Sequence, residues 1–206
     1  SIAFDDKGQL YAIETGYAYG EVWEHPRLLR IGPNGTATTI ATGSQNGPWN
    51  GIAWHAGSFY VAEGGEREGG RILRITPDGN ITPLINNLPS MGDHHTNGPV
   101  IKDGYIYFAT GTATNSGVVG PDNAEYGWLK RYPSFHDIPC KDIVLSGINY
   151  TSINALDSGS GKEVSTGAFV PFGKATTSGQ VVKGSVPCGG AVLRIPVGGG
   201  APELVG

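Results

Sequence analysis

The sequence is poor in charge. Lysine, arginine, aspartate and glutamate make up 16% of its 206 residues, against ~25% in ordinary soluble domains. The net charge of −4 is small and spread along the chain. That leaves neither a basic stripe for a nucleic-acid backbone nor a polybasic patch for a membrane surface. No apolar run approaches the roughly 20 residues that span a bilayer. Phosphate-binding loops, Gly-x-Gly-x-x-Gly turns and nucleophile elbows are missing. Helical periodicity is missing too. Cysteine is scarce: only Cys140 and Cys188 occur, both in irregular, glycine-rich stretches. Their pairing in one disulfide around a long insertion would suit an oxidising, extracytoplasmic compartment, periplasmic or secreted; the alternative is two loop thiols. Three Asn-x-Thr sequons, at Asn34, Asn80 and Asn149, are permissive for glycosylation in a secreted protein.

Turn formers are abundant instead. The chain has 34 glycines and 14 prolines, without a collagen-like period, a composition that fits either disorder or a turn-rich all-β fold. Regular apolar runs decide for the second. One unit recurs as IAFDDKGQLYAIETG (2–16), NGIAWHAGSFYVAEGG (50–65) and NGPVIKDGYIYFATGT (97–112). Each reads as two short strands joined by a tight turn at Gly8, Gly57 or Gly104, with period-2 alternation in the second strand. A second unit recurs as RLLRIGPNGTATTIATG (27–43), RILRITPDGNITPLINNLP (71–89) and AVLRIPVGGGAPELVG (191–206). These are hairpins around Pro-Asn-Gly, Pro-Asp-Gly and Gly-Gly-Gly.

Two hairpins per repeat of about 45–50 residues is the size of a β-propeller blade. The expected fold is therefore all-β: a partial β-propeller over 1–206 built of four-stranded antiparallel blades, with a long insertion at 113–190. Two and a half blades cannot close, and both ends read as cut from within strand pairs. A fragment, or completion by a partner chain, is expected.

Residues 90–101, SMGDHHTNGPVI, join the outer strands of one repeat to the first strand of the next. In a propeller such a crossing delivers side chains to the channel mouth. Three readings of Asp93, His94 and His95 stay open. Two adjacent histidines in extended backbone point to opposite sides, which argues against a paired metal clamp. A single histidine, oriented by Asp93 or a carbonyl, fits a catalytic base. A polar turn bridging two repeats fits as well. Glu14 and Glu63 end equivalent strands and would line a channel in a calcium-dependent lactonase-type propeller, or else satisfy neighbouring strands. Trp49 and Trp128 could form sugar-stacking surfaces, while Trp23 is merely scattered and Trp54 reads as core. Asp122, Glu125, His136 and Asp137 lack the spacing of a calcium loop. EGGEREGGR (63–71) reads as a flexible charged turn.

The stretch NNLPSMGDHHTNGPVIKDGYIYFATGT resembles the soluble pyrroloquinoline-quinone-dependent glucose and sorbosone dehydrogenases, which are six-bladed propellers. Shared elements are Leu-Pro, a short spacer, Asp-His, a glycine, an apolar pair, a glycine turn and a tyrosine strand. ATGSQNGPWNGIAWHAGSFYVAE is a second match. The resemblance covers about 1–112 and 191–206; the insertion is unmatched. It implies about half of such a propeller. It also implies an oxidoreductase that passes hydride from a sugar or polyol hydroxyl to pyrroloquinoline quinone, with calcium as a further cofactor. On this resemblance His94 is the general base, and Asp93 and Gln45 lie in the substrate and cofactor pocket. His95 falls where the family pattern varies. Most cofactor-binding positions of the family would lie beyond Gly206, and an electron acceptor would be a partner. A different class remains open, a non-catalytic secreted propeller scaffold whose insertion is the binding element.

Overall fold

The structure is a computed structural model that describes residues 1–16, 24–92, 94–125 and 127–206. Asp93 and Trp23 lie outside the described residues. Among the described residues, sixteen strands form in the order β1 Ile2–Phe4, β2 Leu10–Glu14, β3 Arg27–Ile31, β4 Ala37–Thr42, β5 Trp49–His55, β6 Ser58–Glu63, β7 Gly70–Ile75, β8 Ile81–Leu88, β9 Asn97–Lys102, β10 Tyr105–Thr110, β11 Ile143–Val144, β12 Asn149–Ile153, β13 Glu163–Gly167, β14 Val181–Val182, β15 Ala191–Pro196 and β16 Glu203–Leu204.

Twelve of the strands make three four-stranded antiparallel sheets, ordered β1-β2-β3-β4, β5-β6-β7-β8 and β9-β10-β15-β16. The insertion enters between the second and third strands of the third sheet. Its own strands pair only with one another, β11 with β14 and β12 with β13. The register repeats in spite of it. Tyr11 pairs with Arg30, Tyr60 with Arg74 and Tyr107 with Arg194. A one-residue slip would turn every apolar side chain to the wrong face, so the Leu-Arg-Ile strands hold one register in all three copies.

Alternation sets the layers. Phe59 and Val61 of β6 point into a core shared with the first sheet, where they meet Tyr11, Ile13 and Leu28. Tyr60 and Ala62, one residue out of phase, point the other way and meet Ile106, Phe108, Leu193 and Ile195 of the third sheet. The middle sheet is thus buried on both faces. β5 lies against β1 on one side and β9 on the other, so first strands neighbour first strands. The approach is tight, because a Cβ on Gly51 would come within 1.4 Å of the Gly98 carbonyl oxygen. Only glycine permits that contact.

The insertion is built differently. It has two single-turn helices, α1 (Asp122–Glu125) and α2 (Trp128–Arg131), too short to show a period in the sequence. A small core of Ala113, Val119, Trp128, Leu129, Phe135 and Phe172 forms beside them. Asp137 is 3% exposed and accepts from Ala113 N at 2.6 Å and from Thr114 N and Oγ1 at 3.2 and 2.5 Å. Asn149 accepts from Thr176 N at 2.7 Å, and its amide donates to the Gly147 and Thr176 carbonyls. Cys140 and Cys188 are joined in a disulfide. No helix among the described residues is long and apolar enough to cross a membrane.

Candidate functional site

Successive turns of a meander alternate between its two ends. Tight hairpins such as Ala56-Gly57 and Asp103-Gly104, both with positive φ at each residue, occupy one end, as two-residue turns between twisted strands require. The other end receives the longer connections: 43–48 into β5, 64–69 between β6 and β7, 89–96 into β9, and the whole insertion after β10. Topology therefore brings together the segments holding Gln45, the two histidines and the insertion.

Backbone bonds sew these segments to one another. Gly64 N donates to the Pro48 carbonyl at 2.6 Å, Gly65 N to that of Asn46 at 3.0 Å and Thr96 N to that of Gly64 at 3.2 Å. His94 N donates to the Thr112 carbonyl at 3.2 Å, and Gly190 N to that of Gly111 at 3.1 Å. Gly111 is required here, since a Cβ on it would sit 2.1 Å from the His94 carbonyl oxygen and 2.6 Å from His94 Cβ.

His94 is exposed, and its Nδ1 lies 3.0 Å from Thr112 Oγ1. With Nδ1 protonated, that nitrogen donates to the hydroxyl and Nε2 keeps its lone pair toward solvent. His95 turns the other way. Its side chain is 14% exposed, and Nε2 lies 3.5 Å from Oε2 of Glu66, which is 1% exposed. His94 sits in a bend, and the two rings lie against different segments, His94 at Thr112 and His95 at the β6–β7 turn. Gln45 Oε1 accepts from Arg67 Nη1 at 3.1 Å, so Gln45 reaches the same end as His94 but serves the β6–β7 turn.

Asn46, beside Gln45, is the organising amide. At 3% exposure, it donates to Glu63 Oε1 and to the Gly69 carbonyl, both at 3.0 Å, and accepts from Glu68 N at 2.7 Å. Glu63 also accepts from Trp49 Nε1 at 3.1 Å and pairs with Arg71 at 3.2 Å. The turn at 63–71 is therefore not the solvated, flexible segment its charge pattern suggests. Two of its carboxylates, Glu63 and Glu66, are buried and held. Glu14 is paired with Arg27 on the facing strand, and that pairing holds its carboxyl below the usual range. In the third sheet Thr110 takes the equivalent place and donates to the Cys188 carbonyl at 2.7 Å. The strand-end carboxylates thus serve their own sheets.

Neither tryptophan singled out for sugar stacking is available. Trp49 is 1% and Trp128 4% exposed, and Trp128 stacks on Phe135 at 6.0 Å. Trp54 is half-buried and packs on Phe59 at 4.7 Å. Among the described residues no three His, Cys, Asp or Glu side chains converge to hold a metal ion. Arg131 is engaged with Glu68 at 3.1 Å, and Arg67 with Gln45. The described residues therefore do not by themselves fit a quinone and calcium centre. Sequence reasoning missed Asn46, Glu66 and Thr112. The adjacency of Asn46 to Gln45 was the one available signal; Glu66 sits in a run that looks solvated, and Thr112 is identified only by its fold neighbour.

No family model matches the chain, and no curated protein matches it.

Proposed function

We propose that the chain belongs to a sugar or aldose dehydrogenase-like oxidoreductase in which His94 is the general base. The sheets are read as successive blades of a β-propeller, in an extracytoplasmic protein. The observation that carries this reading is the set of His94: an exposed imidazole at the loop-bearing end, oriented through Nδ1 by Thr112. Base catalysis needs such an arrangement, with one ring nitrogen fixed and the other open to a substrate hydroxyl. Nε2 would take the hydroxyl proton as the carbon-bound hydrogen leaves with its electron pair, giving a carbonyl or lactone. The resemblance in the sequence assigns that hydride to pyrroloquinoline quinone. The described residues do not hold it alone.

The test is dye-linked oxidation of glucose by the full-length protein with added quinone and calcium. His94→Ala should lose turnover while circular dichroism stays unchanged. Undiminished turnover in that variant would sink the reading. A second reading, a non-catalytic secreted binding module, is favoured by the insertion's separate core and disulfide; ligand capture without any turnover would select it.

A further inference from the structure

The insertion encloses a cleft of about 350 Å³, at the small end of ligand pockets. Two of its walls are fixed. The stretch from Thr112 to Gly117 is clasped by Asp137 through three hydrogen bonds. The stretch from Ile138 to Ile143 is tied down by the Cys140 disulfide and by Gly189 N donating to the Ile138 carbonyl at 2.9 Å. Phe169 forms a third wall. It has φ +56°, a strained conformation for a bulky residue. Its N–H donates to the Gly117 carbonyl at 2.7 Å, and its ring lies over Gly117. Strain held in this way is a pointer to function.

Ile138, Pro139, Ile143 and Phe169 line the space, alongside Asn115 and the exposed Lys141. Two of the polar groups beside them are already engaged. Asp137 accepts three hydrogen bonds, and Thr114 Oγ1 donates to it while accepting from Gly117 N at 2.8 Å. Thr112 also lines the cleft, and its hydroxyl is the one that holds His94 Nδ1. The imidazole is therefore one hydrogen bond from the cleft wall.

We infer that this cleft is a binding site for the apolar arm of a hydroxylated ligand, an aryl or alkyl glycoside or a similar aromatic alcohol, whose hydroxylated end is presented to His94. This rests on the reading of His94 as the base. It makes the unmatched insertion the specificity element. A free hexose would leave the apolar walls uncovered. A one-ring arm would bury them and gain about tenfold or more in affinity.

The experiment is calorimetric titration of the intact chain with p-nitrophenyl β-glucoside and, separately, with glucose. The aryl glucoside is expected to bind at least about tenfold tighter. That preference should fall to near unity in Phe169→Ala and persist in His94→Ala. Ile143→Ala on the facing wall should reduce it as well, which guards against a local collapse around residue 169. Equal affinity for the two probes in the unaltered chain, no binding of either, or a preference that survives both wall substitutions would overturn the inference. Because binding is read without turnover, these outcomes are separate from those of the His94 activity test.

Discussion

The three sheets and the insertion solve the same problem by opposite means. The sheets bury alternating apolar side chains in a register that repeats from Tyr11–Arg30 to Tyr107–Arg194. The middle sheet is covered on both faces, so its stability comes from packing spread over many residues. The insertion has strands of two to five residues and a six-residue core. It is held at points instead: Asp137, Asn149 and one disulfide. Distributed packing spreads the load over many side chains and demands one residue type only where strands nearly touch, as at Gly51. Point clasps leave loops free to carry a cleft, and make each clasp individually important.

Core truncation should show the largest effect. Phe59 is fully buried, and Phe59→Ala is expected to cost about 3–5 kcal/mol in urea unfolding, with the first and middle sheets, which share its core, melting together. Separate transitions for the first and middle sheets would break the picture of a shared core.

Removing the disulfide should come next and act elsewhere. Cys140→Ser with Cys188→Ser opens the loop that the disulfide closes over a sequence separation of 48, a loss of typically about 2–4 kcal/mol. Hydrogen exchange should rise across 113–190 and stay unchanged in β5–β8. Equal loosening of both regions would deny them separate means of support.

Asp137→Ala is expected to cost about 1–3 kcal/mol by leaving buried Ala113 and Thr114 donors unsatisfied. Proteolysis of the insertion should report it before any change in the sheets.

Acidification probes both regions more gently. Lys183 beside Asp142, and Arg27 beside Glu14, hold these exposed carboxyls below their ordinary values of 3.8 and 4.5. The stability each contributes is present above the ordinary value and is lost as pH falls through the lowered one. A melt series from neutral pH down should therefore stay flat until it enters the carboxylate range. Loss beginning well above that range would point to other groups.

Glycan mapping after secretion from a eukaryotic host should give the smallest change. Asn34 and Asn80 are exposed in hairpin turns, whereas Asn149 is partly buried and spends its amide on two carbonyls. Modification is expected at the first two only, with little effect on stability. A glycan on Asn149 would mean that its clasp opens.

The same contrast explains what could be read in advance. Strand pairs, turns and four-stranded sheets were legible because period-2 alternation and Pro-Asn-Gly or Pro-Asp-Gly turns are local signals. The position of the insertion, between the second and third strands of the third sheet, followed from the displaced third Leu-Arg-Ile copy. The clasps were not legible. Asp137 finds Ala113 and Thr114 across more than twenty residues of chain, and nothing local marks it. At the site, His94 and His95 meet different segments, Thr112 and Glu66, across a bend at His94 that the extended reading of the segment did not include. That His95 meets buried Glu66 depends on a turn whose charges look solvated until Asn46 is placed under it.

The most direct test of the account compares those two histidines. His94→Ala and His95→Ala are assayed side by side for dye-linked sugar oxidation, with added quinone and calcium, at matched fold content by circular dichroism. The exposed, Thr112-oriented His94 is expected to be essential. The His94 variant should lose turnover at every pH, whereas the His95 variant should keep turnover and lose thermal stability. A silent His95 variant beside an active His94 variant would contradict it and move the base to the buried Glu66–His95 pair.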